Sequence, residues 1–211
     1  MTALTGGGYV IGIGDGVLLT AANIVNVIAI GTGAMANAAD TATNSMGIGP
    51  SALSGVTGSY NYGFGALTLT QVTGTLNNAF GYQACMGVVA GSNNLCFGQS
   101  VLATTQVGAL NSNIGIGDFS LQHLTTGSGN IAIAAFGNMT SGSNNVAIAG
   151  GNQISSGSYN VIAGASAFFF GAGSQNVIIG GIAGPGISGS LGVSNSTIVG
   201  YDAGQNINSS S

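Results

Sequence analysis

His123 is the only imidazole in this 211-residue chain, and Asp15, Asp40, Asp118 and Asp202 are its only acids. A histidine acting as a base needs a nucleophile beside it and an acid to orient it. Asp118 is close to His123 in sequence, but a turn separates them, so His123 is expected on a loop or strand face. Cutting a glycosidic bond takes paired carboxylates, which four scattered aspartates do not readily supply. No cluster of His, Cys and acids has metal-ligand spacing. A calcium-binding Gly-Gly-x-Gly-x-Asp repeat is also missing. Asp15 and Asp118 directly follow a glycine and Asp202 follows one a residue later, where aspartate usually bonds its own backbone in a turn. No catalytic residue, metal or cofactor is therefore assigned. Cys85 and Cys96 are expected to be two small buried hydrophobes rather than a bonded pair. Thr68 and Thr70 form one pair of an ice-binding type, but no neighbouring segment repeats it in register.

The aromatics are better placed for binding. Tyr60, Tyr62, Tyr82, Tyr159 and Tyr201 fall in or beside turns, and Tyr60, Tyr82 and Tyr159 are the tyrosines assigned to contact with a host glycan or protein. Phe168, Phe169 and Phe170 cannot all point inward on one strand, because successive side chains alternate. Packing between chains is their simplest role, and a glycan or receptor platform is the sharper alternative.

The chain has no Lys or Arg at all, and only 2% of its residues are charged, which removes whole classes of function. Nucleic acids, anionic membrane surfaces and phosphate ligands are all held chiefly by those two residues. Disorder is not expected either, since 45% of the chain is apolar and disordered chains are poor in apolar residues and rich in charge. Residues 161–187 are uncharged, but Gly, Ser, Asn, Gln and Pro interrupt them and no basic flanks set a topology, so membrane insertion is not expected. Met1 to Gly8 lack the basic and apolar regions of a secretory signal, so no leader is expected there.

What positions the chemistry is a repeat. Gly142-Ser143-Asn144-Asn145-Val146-Ala147-Ile148-Ala149 restates Gly127-Ser128-Gly129-Asn130-Ile131-Ala132-Ile133-Ala134. In each, a lead asparagine is followed four residues later by a small residue. The frame fits leads at Asn61, Asn77, Asn94, Asn113, Asn130, Asn145, Asn160 and Asn176, and weaker copies end at Gly14, Gly31, Gly49 and Gly200. That makes about twelve copies, about 15 to 20 residues apart, too short for helical repeats or propeller blades. The abundance of Gly, Asn, Ser and Thr also disfavours helix. The apolar words alternate with period 2, so each copy is read as short strand, tight turn, second short strand and Gly-Ser-x-Asn turn. The chain is therefore all-β, a parallel β-solenoid over residues 8–204, with an N-terminal segment 1–7 and a tail 205–211.

Several expectations follow. The lead asparagines stack about 4.8 Å apart into a ladder that satisfies its own amides. Val146 and Ile148, Ile131 and Ile133, Val177 and Ile179, and Leu95 and Phe97 are expected to fill the bore. The rod is roughly 55 to 60 Å long. Stacking also explains the scarcity of charge, because like charges directly opposite on neighbouring strands destabilise. Open β-edges at both ends would dock on a partner or stack into a filament.

Asn77-Asn78-Ala79-Phe80-Gly81-Tyr82-Gln83-Ala84 and Gly142 to Gly150 resemble the head repeats of trimeric autotransporter adhesins. They are more similar still to the related repeats of bacteriophage tail fibres and large-virus surface fibres. The resemblance covers nearly all of the chain. It implies a left-handed parallel β-roll, three chains packed side by side, and a non-catalytic role outside cells or on a virion surface. The repeats here are longer and less regular than adhesin heads, and the neck, stalk and anchor motifs of an adhesin are missing. These departures favour a virion or tail fibre over a bacterial adhesin head. An extracellular filament subunit is the other alternative.

Overall fold

Alternation of branched and small residues does produce strands. In a computed structural model, described for residues 8–19, 24–39, 42–88, 90–103, 109–135, 139–150, 156–164, 173–181 and 194–201, the chain is all-β. Its strands are β1 (Val10–Ile13), β2 (Val27–Ile30), β3 (Met46–Ile48), β4 (Tyr62–Phe64), β5 (Asn78–Phe80), β6 (Leu95–Phe97), β7 (Leu110–Asn111), β8 (Ile114–Ile116), β9 (Gly127–Ser128), β10 (Ile131–Ala135), β11 (Val146–Gly150), β12 (Val161–Ala163), β13 (Val177–Ile179) and β14 (Thr197–Val199). Twelve of them form one sheet in chain order, and β7 pairs separately with β9. Each of the twelve lies parallel to the next, as when a chain climbs one rung per repeat. The register follows the repeat frame, with Ile131 opposite Val146 and Val146 opposite Val161. This is a parallel β-solenoid.

The direction of the side chains differs from the expectation. The lead asparagine and the small residue two later point inward, and the branched residues point out. In β11, Ala147 is 3% exposed while Ile148 is 40% exposed. Phe97, Ile133 and Ile179 are likewise exposed, and Leu95, Ile131, Val146 and Val177 are only half-buried, so none of these eight fills the bore.

The reason is volume. After each corner the second arm sends in its own side chains, such as Ala52, Leu53 and Val56, all fully buried. A Cβ on Gly63 of β4 would lie 2.5 Å from Leu53 Cδ1 and 2.6 Å from Thr68 Oγ1. The bore is already full there, so the inward strand position that faces the second arm holds only Gly, Ala or Cys from β2 to β11, while the position two before it admits a larger residue such as the buried Val27. Toward the end of the rod Ile162, Ile178 and Ile198 take that inward position.

The tight coil also needs unusual backbone. The corner glycine Gly65 has φ +133°, a value that side chains rarely allow. Where alanine replaces that glycine, at Ala134 and Ala149, φ moves to 48° and 51°. Successive coils are tied by main-chain hydrogen bonds along the second arm, as from Leu53 N to Thr68 O at 2.9 Å.

Cys85 and Cys96 are bonded, contrary to expectation. Different places in neighbouring turns are what brings them together. Cys85 holds the second-arm position filled by Leu53 and Leu69 in earlier coils, and Cys96 is the inward small residue of the next rung. Their Cα atoms are 5.8 Å apart across the bore. Closing so short a loop stabilises by about 2.7 kcal/mol through the entropy of the unfolded chain. Replacing both cysteines by alanine is therefore expected to lower stability by about 3 kcal/mol. Cys85→Leu with Cys96→Ala should recover about half of that, because leucine refills the bore. Guanidinium unfolding of both variants under oxidising conditions checks this, and equal losses would show that the vacated volume does not matter.

Candidate functional site

Burying an amide costs free energy unless all its hydrogen-bonding groups find partners. The eight lead asparagines, Asn61 to Asn176, are all buried, and they solve this by bonding to one another. Asn130 shows the pattern. Its Nδ2 donates to Asn113 Oδ1 at 3.1 Å and to Gly142 O at 2.9 Å. Its Oδ1 accepts from both the backbone N and the Nδ2 of Asn145, at 3.0 and 3.1 Å. Seven such amide-to-amide links run unbroken from Asn61 to Asn176. Serines finish the ladder, with Ser45 Oγ accepting from Asn61 N at 3.1 Å and Ser196 N donating to Asn176 Oδ1 at 3.1 Å.

The glycine three residues before seven of the eight leads belongs to the same device. Asn61 Nδ2 donates to Gly74 O at 2.9 Å, and Asn77 Nδ2 to Gly91 O at 2.9 Å. A Cβ on Gly58 would overlap the Gly74 carbonyl, and one on Gly74 would overlap that of Gly91. At these positions glycine lets successive turns approach closely enough for the asparagine to cap the carbonyl, and Leu110, which takes the place before Asn113, is the exception, its carbonyl capped by Asn94 Nδ2 at 2.7 Å. A second ladder of hydroxyls runs beside the first in the opposite sense, as Ser128 N donates to Ser143 Oγ and Ser143 N to Ser158 Oγ, both at 3.0 Å.

Outside the bore, the inverted phase builds a surface. Two columns of outward side chains climb the sheet, one from Ile11 to Thr197 and the other from Ile13 to Val199. Between these ends they are almost wholly aliphatic or aromatic. Ile11, Ile133, Ile148 and Ile179 are all exposed, and Phe97 is 56% exposed. Phe80 stacks on Phe64 with ring centroids 4.9 Å apart and planes 4° from parallel, and Phe97 continues the column at 5.8 Å. Eleven rung spacings of about 4.8 Å make the strip roughly 53 Å long, and three residues per strand make it about 10 Å wide. Its footprint of about 500 Å² lies at the upper end of what a monomeric protein usually exposes.

The other candidates are scattered. Tyr60, Tyr82 and Tyr159 are exposed, the last by 61%, but they sit on different rungs and form no common platform. Phe168, Phe169 and Phe170 lie outside the described residues. His123 is exposed, and Asp118 Oδ1 accepts from Gln99 N at 2.7 Å in the preceding coil. Among the described residues no group of His, Cys, Asp or Glu could hold a metal, and no helix is long and apolar enough to cross a membrane. The strip itself escaped the sequence reading, although a signal for it exists. The lead asparagine and the small residue share one parity, so a buried ladder forces the branched residues out.

Replacing Asn113 with alanine leaves the Asn130 donors, the Asn94 acceptor and Gly127 O short of partners. Each orphaned group costs about 1–3 kcal/mol, so a loss of about 3–5 kcal/mol is expected in denaturant unfolding. Serine, which occupies this place at both ends of the ladder, should cost less.

Compared with protein-family models, with curated proteins and with solved structures, the chain has no significant match to any.

Proposed function

We propose that this chain is a non-enzymatic structural fibre protein, a segment of a virion, tail or surface fibre that works as a side-by-side homotrimer. The observation that carries this reading is the continuous apolar strip, which one chain leaves open to water. Three such strips can face one another around a common axis, with the first column of each chain meeting the first columns of its neighbours. Pairing two such strips buries about 1,000 Å² in projection, the size at which specific interfaces begin. The absence of charge on the strip also favours burial against an identical strip over adsorption to a charged partner.

Other features fit a role outside cells or on a virion. A disulfide persists in oxidising surroundings. A chain without Lys or Arg offers trypsin no cleavage site. Exposed Tyr60, Tyr82 and Tyr159 remain available on the outer turns for contact with a host glycan or protein. The rival reading is a filament subunit growing through its sheet edges. β1 and β14 each pair on one side only among the described residues, which favours that reading.

Sedimentation over a wide concentration range separates the two. Three times the 20.3 kDa chain mass at all concentrations is expected. Mass that grows without limit would make the protein a filament subunit, and a stable monomer would overturn both. Ile133→Lys with Ile179→Lys places charges on separate rungs of the strip. This variant should associate more than a hundredfold more weakly, because lysines buried there find no partner. Its far-UV circular dichroism should stay that of the wild type.

A further inference from the structure

Asn78 breaks the pattern of the strip. It pairs with Tyr62 on one side and Leu95 on the other, in the first outward column, and it is half-buried. Apart from Thr197 on β14, it is the only outward residue of the twelve rungs that is not of a hydrophobic type. It is not a member of the ladder, since its lead neighbour Asn77 fills that place. Its side-chain amide makes no hydrogen bond to the described residues. Two residues on, Phe80 stands in the stacked column of Phe64 and Phe97. An amide set in an apolar seam is costly to bury unless a partner meets it. In helical seams, one such residue fixes register and assembly state at some expense of stability.

We infer that Asn78 is the register key of the side-by-side assembly, an interaction residue whose partner is the same amide in the neighbouring copies. This rests on the lateral reading above. When parallel chains associate in register, their Asn78 amides fall in one layer, with the Tyr62 hydroxyls one rung away. Donors and acceptors are then both present for every amide. A slip of one rung sets each amide against Leu95 or Tyr62 of a neighbour, and a larger slip sets it against aliphatic side chains alone. Away from the aromatic rungs β4 to β6 the strip is nearly uniform, because Ile or Val recurs at each of those rungs and one register packs much like the next there. The aromatic column beside it shields one flank of the layer from water.

The test compares the full-length wild type with Asn78→Val, a substitution that suits an outward strand position. Each carries the photo-crosslinking residue p-benzoylphenylalanine in place of Ile131, and pepsin peptides locate the crosslinks. The wild type is expected to crosslink within one rung of residue 131. Asn78→Val is expected to keep the assembled mass, melt at higher temperature, and spread its crosslinks over three or more rungs. Moving the amide one rung, as Asn78→Val with Leu95→Asn, should restore the narrow zone. A narrow zone in Asn78→Val, with assembly intact, overturns the register key alone. A monomeric wild type overturns the lateral assembly itself and the key with it.

Discussion

Everything in this molecule depends on the rise of about 4.8 Å between parallel strands. At that spacing an asparagine can donate to the one below, accept from the one above and still cap a carbonyl in the next turn. The column from Asn61 to Asn176 does this at every step. Side chains buried in the middle of the coil thus leave no donor or acceptor unmet, and hydrogen bonds run the length of the rod. The glycines beside the column exist to permit that approach. The same rise stacks Phe64 on Phe80 with nearly parallel rings.

A stacked architecture constrains composition as strongly as it constrains geometry. Any residue meets its counterpart in the next turn at close range, so a repeated charge would repel itself along the whole rod. Asparagine, serine and threonine bond to copies of themselves, and aliphatic residues pack on copies of themselves. This accounts for a chain whose interior ladder is amide, whose second ladder is hydroxyl and whose outer strip is hydrocarbon. Nothing in the stacking demands that Lys and Arg vanish entirely.

The narrow bore decides how the remaining hydrocarbon is used. Leucines from the second arm fill it, the small strand residues make room for them, and the larger strand residues are turned out. At one place a disulfide between Cys85 and Cys96 fills the space of a leucine. The consequence is a molecule with two apolar systems, a closed core and an open strip. A globular protein of this size would bury the second within itself. Among the described residues no second layer covers it.

The sequence alone determined the repeat, its frame, the parallel all-β class and the asparagine ladder, because these are periodic and each copy repeats the evidence. It did not settle which parity faces inward. Val146 and Ile148 seemed natural core residues by hydrophobicity, yet the choice depends on how much room the second arm leaves, and that arm is distant in the coil. The cysteine pair was missed for the same reason, since register across the bore, not separation along the chain, sets their Cα atoms 5.8 Å apart. Local periodicity is written in a strand, whereas the volume facing it belongs to residues elsewhere in the turn, and only the closed coil brings the two together.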